Sequence, residues 1–224
     1  FARKWSKGWR SSMELSVQQQ IQKQSRMSFI SYWWNTPMDF KCVQDCSKCC
    51  IEREYYPTTK FGKVGVLILP EEKNAIESFA KNLGLNITIL PRIGVSYEKS
   101  DVPTQVIAYQ LMGKESNGNT CPFLDTESAE RSPHGGYKCK IYQNRPLACR
   151  AYPVIESSPV ILDSKCKFCE NCSTTAGNVD QELESLVKIK SKMVTSAPFV
   201  WRYATGTGDE PNKDEIKTGW FLEA

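Results

Sequence analysis

Residues 41–50 read KCVQDCSKCC, and the spacing of their four thiols decides what kind of domain surrounds them. Cys42, Cys46, Cys49 and Cys50 stand at i, i+4, i+7 and i+8, so on a helix they share one stripe. Cys46 and Cys49 are two residues apart, a gap that lets two thiolates reach one metal ion from a single turn of backbone, at a sulfur–zinc distance of about 2.3 Å. The same gap recurs at Cys166-Lys-Phe-Cys169 and Cys169-Glu-Asn-Cys172, and Cys121, Cys139 and Cys149 lie between the two clusters. All ten cysteines are therefore candidate metal ligands.

Other uses of cysteine fit less well. The first thirty residues hold no uninterrupted apolar stretch that would serve as a secretory signal, so a reduced, cytoplasmic setting is expected, and there disulfides are disfavoured. Buried thiols occur singly in cores, which require neither adjacent pairs nor repeated two-residue gaps. Redox dithiols share the Cys-x-x-Cys spacing and stay open as an alternative. Lys41, Lys48, Lys138, Lys140, Arg150, Lys165 and Lys167 flank cysteines, and such charges are expected to favour the thiolate. His134, the only histidine, lies in the turn sequence Ser-Pro-His-Gly-Gly and is expected to be an exposed loop residue. Any two-histidine mechanism is excluded, and a mixed Cys/His metal centre has only this residue to draw on. Thiolate-only sites select zinc or an iron–sulfur cluster over calcium or magnesium. Cys166, Cys169 and Cys172 open like a ferredoxin run, but Ala176 stands at the fourth position. A Gly-x-Gly-x-x-Gly fingerprint is lacking, which argues against a Rossmann unit.

Taken together, Cys42-x3-Cys46-x2-Cys49-Cys50, Thr120-Cys121-Pro122-Phe123-Leu124 and Cys139-Lys-Ile141-Tyr142-x-x-Arg145-Pro146-x-x-Cys149-Arg150-x-Tyr152-Pro153 resemble a known pattern. It is that of the cysteine-cluster family of zinc- or iron-chelating domains, which includes the YkgJ-type proteins and is similar to the cysteine-bearing part of flagellin lysine N-methylase. The resemblance spans residues 38–172. It implies that Cys42, Cys46, Cys49, Cys50, Cys121, Cys139 and Cys149 are ligand positions, with Cys166 completing eight, as two four-thiolate sites or one larger cluster. Cys169 and Cys172 go beyond the pattern. An enzyme reading follows from the methylase likeness, either redox or methyl transfer, although no separate S-adenosylmethionine-binding Gly motif is present. Within the motifs, Pro122, Pro146 and Pro153 stiffen the loops, Arg145 and Arg150 are expected to hydrogen-bond sulfurs or loop carbonyls, and Phe123, Ile141, Tyr142 and Tyr152 read as ordinary core.

Outward from the cysteines, 224 residues at 40% hydrophobic and 24% charged suffice to bury a core. Ten cysteines fall below the roughly 8–10% of a small disulfide scaffold. The longest apolar run, Val64 to Leu69, is far short of the ~20 residues a membrane helix needs. Lys63 to Leu69 reads as a strand, and Pro70-Glu71-Glu72 opens a helix that ends at Gly84, with Ala75, Ile76, Phe79 and Leu83 as its buried face. Leu85 to Leu90, Thr104 to Met112, Thr120 to Leu124 and Tyr137 to Tyr142 read as strands. Asn178 caps a helix with Val179, Leu183, Leu186, Val187 and Met193 on its apolar face. The fold class is α+β: a small irregular cysteine-rich domain with short strands and a few flanking helices. Its organisation is a basic aromatic extension over 1–37, the cysteine domain over 38–197 and an irregular tail over 198–224. Residues 1–27 carry six basic residues against Glu14 alone, and a helix is expected from Ser12 to Arg26. That segment, with Trp5 and Trp9, is a candidate contact for protein or nucleic acid, and its acid-poor composition also matches an organellar transit remnant.

Overall fold

A computed structural model describes residues 43–51, 61–114, 120–166, 178–205 and 218–223. The expected N-terminal helix and the basic extension lie outside these, as do Cys42, Cys169 and Cys172. The described residues form an α+β arrangement of four helices and short antiparallel strands.

The centre is a five-stranded antiparallel sheet. Its strands are β1 (Val66–Ile68), β2 (Ile89–Ser96), β3 (Gln105–Leu111), β8 (Phe199–Ala204) and β9 (Gly219–Glu223), in the order β1-β3-β2-β8-β9. The stretch read as an irregular tail thus supplies two strands, registered by Ile93 opposite Arg202 and Trp201 opposite Leu222. Phe199, Val200, Trp201 and Tyr203 are strong β-formers, but the strand they pair with lies about a hundred residues away in the chain. The strand expected at Leu85–Leu90 instead begins at Ile89 and continues through Pro91 to Ser96. Proline is admitted there because the ladder is irregular between Pro91 and Ile93, and bulges are where a strand tolerates a missing N–H.

Helix α2 (Pro70–Asn82) starts with Pro70 at its first position and Glu71 and Glu72 in the first turn, as its sequence predicts. It stops in a Schellman turn: Gly84 has φ 64°, Gly84 N–H donates to Lys81 O at 3.1 Å and Leu85 N–H to Ala80 O at 2.9 Å. Its buried face is Ile76 and Ala80, with Phe79 half-buried, whereas Ala75 and Leu83 face solvent. Val66, Ile68, Ile76, Ala80, Leu111, Phe123 and Ile141 form the main core. Gln110, fully buried, ties the chain entering β1 to β2: its Oε1 accepts from Gly65 N–H at 3.1 Å and its Nε2 donates to Pro91 O at 2.9 Å. Only glycine fits at 65, where a Cβ would lie 2.1 Å from Leu111 O.

The cysteine region is built from smaller pieces. They are the one-turn helix α1 (Lys48–Ile51), the two-residue strands β4 (Leu124–Asp125) and β5 (Lys138–Cys139), a 3-10 turn (Tyr142–Asn144) and helix α3 (Leu147–Ala151). The hairpin β6 (Val154–Ser157) and β7 (Val160–Leu162) follows. Helix α4 (Asp180–Met193) packs on α3 and β6, and Asn178 Oδ1 accepts from Asp180 N–H at 2.9 Å. Its buried side is Ser185 and Ile189, while Val187, expected in the apolar stripe, is 50% exposed.

Candidate metal centre

Among the described residues, the first cysteine cluster has helix only over Lys48–Ile51. Asp45 adopts φ 57°, turning the chain so that Cys46 precedes the single turn that holds Cys49 and Cys50. This turn is stitched to two distant segments. Asp45 N–H donates to Gly135 O at 2.9 Å, Tyr137 N–H to Ser47 Oγ at 3.0 Å and Cys121 N–H to Cys50 O at 2.7 Å. Arg131 Nε also donates to the Asp45 carboxylate. The approach is close enough that a Cβ on Gly136 would lie 2.5 Å from Cys46 O.

The second cluster is placed by the β4–β5 pair, where Cys139 is opposite Leu124 and Cys139 N–H donates to the buried Ser132 Oγ at 2.8 Å. Cys149 rides on α3. That helix begins where Leu147 N–H donates to Glu72 Oε1 at 2.8 Å, while Glu72 Oε2 accepts from Leu69 N–H at 2.9 Å. One carboxylate therefore anchors the starts of α2 and α3, a role the sequence signalled only as an acid in the first turn. Cys166 is fixed by its N–H to Asp163 O at 3.0 Å. Cys121, Cys139 and Cys149 all pack against the main core.

Five thiols, Cys49, Cys50, Cys121, Cys139 and Cys149, line one cavity of about 410 Å3. Cys46, Cys49, Cys149 and Cys166 line a neighbouring one of about 180 Å3, so Cys49 and Cys149 belong to both. The seven described cysteines all carry thiols. Burial, opposed by the Ile141 N–H, and the nearby Cys121, Cys50 and Cys149 push the Cys139 thiol up from 9.0 to about 12. Its flanking lysines do not deliver the expected thiolate: Lys138 Nζ pairs with Glu130 at 2.5 Å and Lys140 is exposed. A buried thiol gains less from lysines turned to solvent than it loses by desolvation. Arg145 and Arg150 bond loop carbonyls, Arg145 Nε to Tyr142 O at 3.0 Å and Arg150 Nε to Arg145 O at 2.8 Å.

His134 is not the exposed loop residue its turn sequence predicts. It is half-buried and stacks on Tyr142 with centroids 5.2 Å apart, while Arg145 Cζ lies 3.9 Å from the other partner of that stack, the Tyr142 ring centroid. Its Nδ1 is buried with no hydrogen-bond partner, and the residue lines both cysteine cavities. Burial and then the Arg145 charge hold its imidazole below the usual range. Turn chemistry identifies a loop correctly but says nothing of what the loop folds against. Of the four side chains expected in the core, Phe123 and Ile141 are buried and Tyr142 and Tyr152 half-buried.

The donor chemistry fits a thiophilic ion. Cys49 Sγ and Cys50 Sγ are 4.0 Å apart, close to the ~3.8 Å edge of a tetrahedron with bonds of about 2.3 Å. Among the described residues, no three His, Cys, Asp or Glu side chains stand together as a metal-holding group. Ligation therefore requires the remaining thiols to lose their protons and turn inward, as expected where site closure and metal binding are coupled.

Fold and site define a class: a small α+β domain that gathers thiols from separate chain segments around a cavity beside its core. Over residues 41–167 the chain matches the CxxCxxCC family model, described as "Putative zinc- or iron-chelating domain". The chain belongs to this family, and that membership supports metal binding. No curated protein and no solved structure matches the chain significantly. Among the described residues no helix is long and apolar enough to cross a membrane.

Proposed function

We propose that the protein is a metal-stabilised module whose cysteine thiolates hold zinc or an iron–sulfur cluster. The observation that carries this reading is the convergence of five cysteines from four chain segments on one cavity. Around it, Cys49, Cys50, Cys121, Cys139 and Cys149 are the inner ligands. Cys46 and Cys166 extend the set through the adjoining cavity, and Cys42 joins from the same motif. The shared wall of Cys49 and Cys149 favours one contiguous centre over two isolated ones. Cys169 and Cys172, outside the described residues, are counted as further metal ligands. When bound, the metal cross-links segments that also meet through backbone hydrogen bonds, the Arg131–Asp45 pair and packing on the core.

The experiment is elemental analysis and a visible spectrum of the full chain purified without oxygen. Zinc in a colourless protein, or iron with sulfide and visible absorption, supports the reading; a protein free of both overturns it. Cys49→Ser, which removes a wall of both cavities, is expected to lower metal content and melting temperature together. A second reading, an iron–sulfur enzyme of redox or methyl-transfer type, is favoured by the cavity's size. About 410 Å3 is more than a single ion fills and falls in the roughly 300–1,000 Å3 range of small-molecule pockets. Perturbation of the visible spectrum by S-adenosylmethionine would favour it, and an unchanged spectrum would argue against it.

A further inference from the structure

On β2, in the middle of the sheet, Arg92 is half-buried and also borders the five-cysteine cavity. Its Nη1 donates to Gly65 O at 3.3 Å, and among the described residues no carboxylate pairs with it. The charge that does act on it is another cation, Arg202 on β8. The β2–β8 ladder places Ile93 opposite Arg202, while the β2–β3 ladder is irregular on both sides of Ile93, the kind of distortion that re-aims side chains. Both arginines line a cavity of about 70 Å3 whose other walls are Phe61, Val64, Ile93 and Tyr203. Arg202 is only partly committed: its Nη2 meets Glu223 Oε1 at 2.7 Å, and its guanidinium lies 4.9 Å from the Phe61 ring centroid.

Burying one guanidinium without a counter-charge is costly, and placing a second beside it raises the cost. Burial and the Arg202 charge lower the Arg92 group from 12.5 to about 10, so it remains a cation at neutral pH. A cavity of about 70 Å3 with two guanidinium walls has the size of a compact oxyanion, which accepts paired N–H donors from each fork. We propose that this cavity is an anion site holding a phosphate group, free or at the end of a small molecule, between Arg92 and Arg202. The site lies between β2 and β8, and because Arg92 also borders the five-cysteine cavity the metal-depleted variant below separates the two.

The test is thermal melting and calorimetric titration of the full chain with inorganic phosphate at constant ionic strength, with chloride as reference. A dissociation constant below about 1 mM is expected, with a melting temperature raised by about 3–6 °C at phosphate ten times that value. Arg92→Met should keep the fold, since it removes an uncompensated buried charge, and lose the phosphate response. Arg202→Gln should weaken binding about tenfold and serves if the first variant fails to fold. No phosphate-specific rise, or an undiminished response in both variants, overturns the proposal. Glycerol 3-phosphate binding as tightly as phosphate identifies an esterified ligand, and binding of phosphate alone identifies the free ion. The response should survive in Cys49→Ser; one that tracks metal content puts the phosphate on the metal and also overturns the proposal.

Discussion

Glu72 is the smallest perturbation that reaches from the fold to the thiols. Its carboxylate accepts two backbone N–H bonds, from Leu69 at 2.9 Å and from Leu147 at 2.8 Å, at the first turns of the helix that covers the core and of the helix that carries Cys149. Hydrogen bonds to a charged group are worth about 1.5–3 kcal/mol each, less where water reaches them, and Glu72 is half-buried. Glu72→Ala strands both donors, so a loss of about 3 kcal/mol is expected, or roughly 6–12 °C in melting temperature for a chain of this size. Glu72→Gln keeps one acceptor and should cost about half as much. Urea unfolding followed by circular dichroism gives both numbers. Chelator competition on the same samples should show roughly tenfold weaker metal retention in Glu72→Ala, because the start of the Cys149 helix is no longer held. Stability within about 0.5 kcal/mol of the parent, or equal losses in the two variants, would refute the bridging role.

Other consequences can be checked alongside. Gly136→Ala drives a methyl to within 2.5 Å of Cys46 O and 2.9 Å of His134 Nε2, so about 1–3 kcal/mol of destabilisation with reduced metal content is expected; a parent-like melt would show the loop can move aside. Glu156 accepts from Lys190 Nζ and from Ser157 N–H at 2.7 Å, and these hold its carboxyl at about 2 rather than 4.5. Between those values the unfolded chain binds more protons, so this stabilisation is present above pH 4.5 and is lost as pH falls through 2. Glu156→Gln should flatten the acid limb of melting temperature against pH, and identical slopes count against the pairing. Removing residues 1–27 should leave metal content intact, and a loss on metal analysis would place that segment in the centre.

The sequence was most informative where a signal is local. Pro70 followed by two acids, with Gly84 at the far end, announces a helix whose cap chemistry needs only neighbouring residues, and its bounds follow. Which residues of that helix are buried is less legible: Ala80 and not Leu83 meets the core, because the strands beneath it, not the helix period alone, select the covered side. His134 and Arg92 show the same limit. A turn-forming pentapeptide looks solvated until the stack on Tyr142 is in place, and nothing in the chain around Arg92 announces the neighbouring Arg202.

By itself the sequence determined that thiols are the chemistry of this protein. Ligand spacing, a single histidine and the order of the three cysteine motifs are properties of the linear chain. Tertiary structure decided which thiols share a cavity, since the segments of Cys50 and Cys121 are joined by a backbone hydrogen bond across seventy residues of chain. It also decided that the C-terminal segment completes the sheet. Strand pairing at such separation depends on a partner surface that exists only after the rest has folded, and no window of sequence contains both sides of it.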